Sequence, residues 1–140
     1  MIVYIDENLS PHLARGLNLL QAPMNGEEKE PIEIQSIKDV FGQGTTDEEW
    51  IPKAGKQGAI VVTQDLNIHR TRSQFELFQQ HGLGIFFFRP PSNRGYLYWD
   101  MVQQVINRWA EMKKLAFKTK KPFAFKCTSR SSHFEEFNKT

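Results

Sequence analysis

Three short, uninterrupted apolar runs constrain the fold of this 140-residue chain more than any other feature. They are IVYI at 2–5, AIVV at 59–62 and IFFF at 85–88. Runs of this length, rich in β-branched and aromatic residues, are typical of strands that are buried on both faces. A weaker pattern, with isoleucine at 32, 34 and 37, predicts one further strand.

Helical patterns separate the predicted strands. Ser10 followed by Pro11 is typical of a helix start. A capping-box pattern at Thr46 predicts a second helix, and apolar spacing predicts two more, over about 68–80 and about 96–115. This alternation predicts an α/β fold: a three-layer α/β/α sandwich whose central, mostly parallel sheet has four or five strands.

Charge is distributed unevenly along the chain. The net charge is only +2, yet residues 113–130 hold seven lysines and arginines and no acid, so the remainder is acidic. We therefore expect one domain over residues 1–116 and a basic C-terminal extension over residues 117–140. An acidic body with a basic extension fits a protein that binds a polyanion and holds metal with its acids, and a solvated charged tail fits the same pattern.

Composition excludes several classes of protein. A single cysteine, Cys127, allows no intrachain disulfide and no cysteine-rich zinc site. No apolar run approaches the roughly 20 residues that a membrane span requires. The first seven residues contain two acids and no basic segment, so we expect no signal peptide and a cytoplasmic location.

Acidic residues cluster where predicted strands end and one predicted helix begins. Asp6 follows the first strand, Asp65 follows the third, and Asp47 lies in the first turn of the second helix. Because the carboxyl ends of parallel strands share one edge of a sheet, we expect these carboxylates to converge there. Clustered carboxylates repel unless a cation lies between them, which predicts Mg²⁺ or Mn²⁺ and hydrolysis of phosphodiesters. Purely structural roles, at a helix start or in Asx turns, remain the alternative for each acid.

Three sequence motifs carry a resemblance to a known family. They are YIDENLS at 4–10, GTTDEEW at 44–50 and VVTQDLN at 61–67. Together, in this order and spacing, they resemble the compact PIN-like nucleases, in particular the DUF5615 and VapC45-type toxin group. The resemblance covers roughly residues 1–90.

The resemblance implies a magnesium- or manganese-dependent endoribonuclease, the toxin of a toxin–antitoxin pair, with RNA and an antitoxin protein as partners. It implies that Asp6, Asp47 and Asp65 are the catalytic, metal-binding acids. It also implies a set of supporting polar residues: Glu7, Asn8, Glu48, Thr63 and Asn67. Asn67 stands where the family often has another acid, which leaves open whether one or two metal ions bind and whether activity is retained.

Cationic and aromatic residues are candidates for contact with RNA. We expect Arg72 on the inward side of the third helix, where it would contact a scissile phosphate or form a salt bridge to an acid. His69 and Arg70, at the start of that helix, are candidates for RNA contacts. Tyr98 and Trp99 begin the long last helix and either stack on bases or pack against the core or a partner.

Two other functions fit the same sequence. One is a PIN-like binding module that keeps the fold and has lost catalysis, which the Asn67 replacement favours. The other is a receiver-like signalling domain, which needs a lysine after the last strand that we do not find here. A homodimer is compatible with the resemblance.

Overall fold

A computed structural model describes residues 1–137, with Ile68 described by its backbone alone. The strands are β1 (Ile2–Ile5), β2 (Glu33–Ser36), β3 (Ile60–Gln64), β4 (Gly84–Arg89), β5 (Phe123–Thr128) and β6 (Glu135–Glu136). The helices are α1 (Pro11–Gln21), α2 (Ile37–Phe41), α3 (Asp47–Lys56), α4 (Ile68–His81) and α5 (Tyr98–Lys118), with a 3₁₀ helix at Ala22–Glu27.

The strands form one sheet in the order β2-β1-β3-β4-β5-β6. The first five strands in that order pair in parallel, and only β6 is antiparallel. The predicted α/β/α class is confirmed, and the sheet has six strands instead of four or five. The additional strands, β5 and β6, come from the segment that the sequence analysis treated as an extension.

Two apolar cores lie on opposite faces of the sheet, because successive residues of each strand point to opposite faces. Val62 and Phe86 pack in the core that α1 and α5 cover. Val61 and Phe87 pack in the core that α3 and α4 cover, around Trp50. Burial on both faces explains why these strands are uninterrupted apolar runs.

The C-terminal part of the chain is integrated into this architecture. Helix α5 continues through the predicted boundary between residues 116 and 117, and β5 then pairs with β4 from end to end. Arg108 of α5 donates hydrogen bonds to the carbonyl oxygens of Thr128, at 2.9 Å, and Ser131, at 2.6 Å. These bonds hold the helix against the end of the last parallel strand.

Local sequence signals explain where two helices begin. The Ser10 hydroxyl accepts a hydrogen bond from the His12 N–H and caps α1, as predicted. Helix α3 begins at Asp47, also as predicted, but the Thr46 side chain makes no capping hydrogen bond. The predicted capping box is therefore wrong: the Thr46 hydroxyl does not cap the helix, and Glu49 accepts a hydrogen bond from the Thr45 hydroxyl at 3.3 Å. No helix among residues 1–137 is both long and apolar enough to cross a membrane.

Candidate functional site

The predicted acids all lie near the carboxyl edge of the sheet. Asp6 follows β1 and its N–H donates to the Val62 carbonyl oxygen at 2.9 Å. Asp65 follows β3 and its N–H donates to the Phe88 carbonyl oxygen at 2.9 Å. Asp47 is the first residue of α3, which starts at the same edge. This placement follows from parallel strand pairing, which brings all the strand ends to one side.

Asp6 is only 1% exposed, and hydrogen bonds within the protein hold its carboxylate in place. Its Oδ1 accepts from the Glu7 N–H at 2.8 Å, and its Oδ2 accepts from the Thr63 hydroxyl at 2.6 Å. A hydroxyl has a single proton, so this short bond takes precedence over the longer approach to Asn8 Oδ1 at 3.3 Å. A buried carboxylate is thus held by the neighbouring strand.

Arg70 bridges Asp6 and Asp47. Its Nη2 lies 3.3 Å from Asp6 Oδ2 and 3.5 Å from Asp47 Oδ1. The arginine side chain itself is 40% exposed, so its guanidinium reaches from the solvent side into the pair. Its positive charge offsets the repulsion that two neighbouring carboxylates would otherwise experience.

The environment of Asp47 disfavours its ionised form. Burial is the largest cause that raises its pKa, and the negative charge of Asp6 adds to it. The Arg70 cation opposes this rise, as does the Trp50 indole N–H, which donates to Asp47 Oδ1 at 3.1 Å. Gln74 also lies close enough to lower the pKa of Asp47, but its buried Nε2 has no acceptor within hydrogen-bond distance.

Asp65 is held apart from the other two acids. Its Oδ1 accepts from the Thr71 hydroxyl at 2.7 Å, and its Oδ2 lies 3.9 Å from Arg89 Nη1. Within residues 1–137, no group of three or more histidines, cysteines or acids is close enough to hold a metal ion. All three carboxylates thus lie at the predicted edge, where Arg70 bridges two of them and the Thr71 hydroxyl bonds the third. Their joint role in metal binding stays a prediction.

Some of the predicted supporting residues lie at the site or its rim, and Glu48 does not contact it. Asn8 and Thr63 lie at the site, where Asn8 Nδ2 donates to the Gln64 carbonyl oxygen at 3.1 Å. Glu7 is exposed at its rim and accepts from the Gly44 N–H at 3.2 Å. Glu48, in contrast, is an exposed residue of the first turn of α3.

Asn67 is the N-cap of α4. Its Oδ1 accepts from the N–H groups of His69, at 2.9 Å, and Arg70, at 3.2 Å. That oxygen therefore satisfies free donors at the helix start. The cap also determines the position of Arg70 relative to the two acids.

The start of α4 places its cations differently from the sequence prediction. The buried polar residues of its first turns are Thr71 and Gln74, so Arg72 is exposed and does not lie on the inward side. His69 is exposed as well. Arg70 instead contacts the acids, because the Asn67 cap starts the helix with that residue facing α3. The roles of all three in RNA binding stay predictions.

An open cleft of about 590 Å³ lies in front of the Asp47–Arg70 pair. Sequence reasoning missed Lys38 in its wall, although a cation two residues beyond the carboxyl end of β2 is a signal that could have identified it. The remaining lining residues are Glu7, Asn8, Gln43, Gly44, Thr45 and Thr46. Trp50 and Gln74, whose side chains adjust Asp47, were also missed.

The first part of the basic segment lies away from this cleft. The connection between α5 and β5 runs at the opposite, amino edge of the sheet, where Lys121 donates to the Gly58 carbonyl oxygen. Lys113 is engaged with Glu28 at 2.7 Å. Strand β5 then carries the segment back to the carboxyl edge, where Arg130 follows its last residue, Thr128. Binding of a polyanion by this segment stays a prediction.

The donors present fit one divalent cation. Arg70 Nη2 already places positive charge between Asp6 Oδ2 and Asp47 Oδ1, which identifies a cation position in the structure. Mg²⁺ keeps several waters and needs only one or two carboxylates from the protein. Asp6 and Asp47 would hold the ion once Arg70 moved away, whereas Asp65 is bonded elsewhere.

A five-stranded parallel sheet with carboxylates at its carboxyl edge is the general form of an α/β domain that binds ligands at that edge. The sequence profile of the PIN-like domain matches residues 1–90, and the chain belongs to the PIN-like domain family. No curated protein and no solved structure matches the chain. The family supports a nuclease-type fold, and PIN domains generally depend on divalent metal. The DUF5615 and VapC45-type subgroup stays a prediction.

Proposed function

We propose that this protein is a metal-dependent endoribonuclease that hydrolyses RNA phosphodiester bonds in the cleft at the carboxyl edge of the sheet. One observation carries the proposal: two carboxylates, Asp6 and Asp47, flank a single cation position beside an open cleft. Membership of a family with a nuclease-type fold supports it.

Each side chain at the cleft has a role in this proposal. Asp6 and Asp47 hold the ion, Mg²⁺ or Mn²⁺, which when bound activates water and offsets charge on a phosphodiester. Thr63 keeps Asp6 oriented through its 2.6 Å bond. Arg70 leaves the acid pair and binds a non-bridging phosphate oxygen, for which its planar guanidinium is well suited.

Lys38 and Asp65 complete the arrangement. Lys38 lines the wall of the cleft and contributes a second positive charge to the phosphate. Asp65 acts by positioning: its bond to the Thr71 hydroxyl ties the end of β3 to the helix that carries Arg70. Of the three predicted catalytic acids, this proposal gives metal binding to two and a positioning role to Asp65.

We extend the proposal to a toxin of a toxin–antitoxin pair, inhibited by a cognate antitoxin protein. The support is family membership, since PIN-like domains commonly bind RNA and pair with antitoxins. Co-expression tests this extension: growth arrest that Asp47→Asn abolishes would support a toxin, and normal growth with abundant active nuclease would contradict it.

The first experiment is cleavage of a mixed RNA pool with Mn²⁺, Mg²⁺ or EDTA. We expect metal-dependent cleavage that falls at least about 100-fold in Asp6→Asn and Asp47→Asn, as is usual when a group that stabilises transition-state charge is lost. Glu49→Gln is the matched control, because Glu49 is an exposed acid in the same turn of α3 that does not line the cleft. Cleavage in EDTA, or undiminished cleavage by both aspartate variants, would refute the proposal.

Arg70 provides a second, independent test. Arg70→Ala removes the cation that competes with metal for Asp6 and Asp47. We expect Mn²⁺ to bind about fivefold more tightly, the factor that corresponds to an exposed ion pair of about 1 kcal/mol, while cleavage decreases. Trp50 fluorescence reports binding, because its indole donates to Asp47. Unchanged or weaker Mn²⁺ binding in Arg70→Ala would contradict the proposed cation position.

The inactive binding module is the second candidate, and the engagement of both acids by Arg70 favours it. Absence of Mn²⁺ binding in both the wild type and Arg70→Ala would establish it over the nuclease. The receiver-like alternative gains only a fifth parallel strand. A receiver needs a lysine after its last strand, whereas Lys126 lies within β5, opposite Phe87 and two residues before the carboxyl end.

A further inference from the structure

The beginning of α5 exposes an unusual amount of apolar surface. Trp99 is 75% exposed and Leu97 76%, and Tyr98 lies beside them with about half of its surface in contact with solvent. The Tyr98 and Trp99 rings contact each other edge to face, with centroids 5.2 Å apart and planes at 84°. Trp50, in contrast, is fully buried in the core. Adjacent exposed aromatic side chains of this size are typical of a surface that binds a ligand.

This aromatic surface, defined by Leu97, Tyr98 and Trp99, is joined to the cleft by hydrogen bonds. Helix α5 begins at the carboxyl edge because β4 ends there at Arg89. The Tyr96 N–H donates to Gln64 Oε1 at 3.1 Å, and Gln64 Nε2 donates to the Asn8 carbonyl oxygen at 2.7 Å. Asn8 in turn lines the cleft. The start of α5 is therefore connected to the wall of the cleft through Gln64, the last residue of β3.

Two arginines precede the aromatic surface in the chain, one at the end of β4 and one in the loop before α5. Arg89 is largely exposed, with one guanidinium nitrogen 3.9 Å from Asp65. Arg94 is exposed in the loop that precedes α5. The Tyr96 hydroxyl donates to the Arg89 carbonyl oxygen at 3.1 Å, which holds the loop against the end of β4. Asp100, in the first turn of α5, is the acid nearest in sequence.

Aromatic rings next to exposed arginines are the combination that binds single-stranded nucleic acid. Unpaired bases stack on aromatic rings, and guanidinium groups bind the adjoining phosphates. A duplex keeps its bases inside the helix and cannot use such rings without unpairing. The chemistry of this surface therefore selects an unpaired strand.

We propose that Tyr98 and Trp99, with Arg89 and Arg94, form a base-stacking subsite for single-stranded RNA that adjoins the cleft. The inference deepens the proposed function, on which it rests for the identity of the ligand. It assigns a strand-binding role to residues outside the acidic site.

Binding is measured without metal, so that the result does not depend on cleavage. Fluorescence anisotropy of a labelled single-stranded RNA in EDTA gives Kd for the wild type, Trp99→Ala and Trp99→Phe. We expect Trp99→Ala to raise Kd about tenfold or more, the usual consequence of losing one stacked base, and Trp99→Phe to restore most of the affinity. Leu20→Ala is the matched control: Leu20 is an exposed apolar residue at the far end of α1.

Several outcomes would overturn the subsite. One is an unchanged Kd in Trp99→Ala, and another is equal affinity for a duplex of the same sequence. A third is self-association, if sedimentation shows a wild-type dimer that Trp99→Ala abolishes and no RNA binding. Failure of the proposed function is separate: RNA binding that depends on Trp99 together with no cleavage in Mn²⁺ refutes the nuclease and keeps the subsite. Normal cleavage with a Kd indifferent to Trp99 refutes only the subsite.

Discussion

The Thr63 hydroxyl donates a short hydrogen bond to Asp6, and removing it should lower the free energy of unfolding by an amount that can be worked out from the structure. Thr63→Val keeps the branched shape on β3 and removes only the donor. Both residues are almost completely buried, so water does not replace the lost bond, which is 2.6 Å long. A hydrogen bond to a charged group contributes about 1.5–3 kcal/mol to the free energy of unfolding. We expect Thr63→Val to lose about that amount.

Urea unfolding measures the effect. With a slope of about 2 kcal/mol/M, the midpoint of unfolding should fall by about 1 M. Thr71→Val is the control, since it removes a bond of similar length, 2.7 Å, to Asp65. The Asp65 side chain is 16% exposed, so water can take the place of that hydroxyl. We expect Thr71→Val to lose about 1 kcal/mol or less.

Two results would refute this reasoning. The first is a loss below about 0.5 kcal/mol in Thr63→Val, which is the range of ordinary surface substitutions. The second is an equal or greater loss in Thr71→Val, which would show that burial of the carboxylate is not the deciding factor. Either result would remove the basis for treating Asp6 as rigidly held.

Three further predictions follow from the structure. The pKa of Asp47 is raised in the fold, so its ionisation destabilises the protein as pH rises. Asp47→Asn should therefore be more stable than the wild type at neutral pH and lose that advantage in acid. Urea unfolding at both pH values measures the difference, and an advantage that grows in acid would contradict this prediction. Gly84→Ala should lower the free energy of unfolding by about 1–3 kcal/mol, because a Cβ at this position collides with the Phe123 ring. Gly16→Ala, with open space around it in α1, should gain about 0.5–1 kcal/mol, and equal effects in thermal unfolding would refute this contrast. Burial raises the pKa of Cys127 to about 12, so a disulfide reagent should react only after unfolding, and rapid reaction of the native thiol would contradict it.

The central part of the fold could be predicted from sequence because its signals are local. Strands β1, β3 and β4 are buried on both faces, and such burial leaves an apolar run that is visible without a structure. Ser10 specifies the start of α1 by its own side chain. The acids could be placed at one edge because parallel topology alone brings them there.

The last two strands could not be assigned firmly from the sequence, where residues 122–125 fit a strand or a docking segment, because their signals depend on distant residues. Strand β5 contains only three consecutive apolar residues before Lys126 and lies inside a segment rich in cations, so its composition resembles a solvated tail. It becomes a strand because its backbone pairs with β4 along its whole length, and that pairing cannot be recognised from β5 alone. Helix α2, with five residues, is too short for a periodic pattern to reveal it.

The pairing of side chains at the site was equally inaccessible. Whether Arg70 or Arg72 faces the acids depends on the rotation of α4, and an error of one residue at its start changes the answer by about 100°. Asn67 settles that rotation by capping the helix. The hydrogen bond that Asp65 accepts from Thr71, six residues further along the chain, likewise depends on the placement of α4.

Strand β6 has a consequence for the solubility of the protein. It contributes only Glu135 and Glu136, both exposed, which pair with Lys126 and Phe125 in the middle of β5. A long apolar strand with a free edge is a template on which other chains add strands and aggregate. The two glutamates place negative charge beside that edge, which disfavours the addition of a further strand to the sheet there.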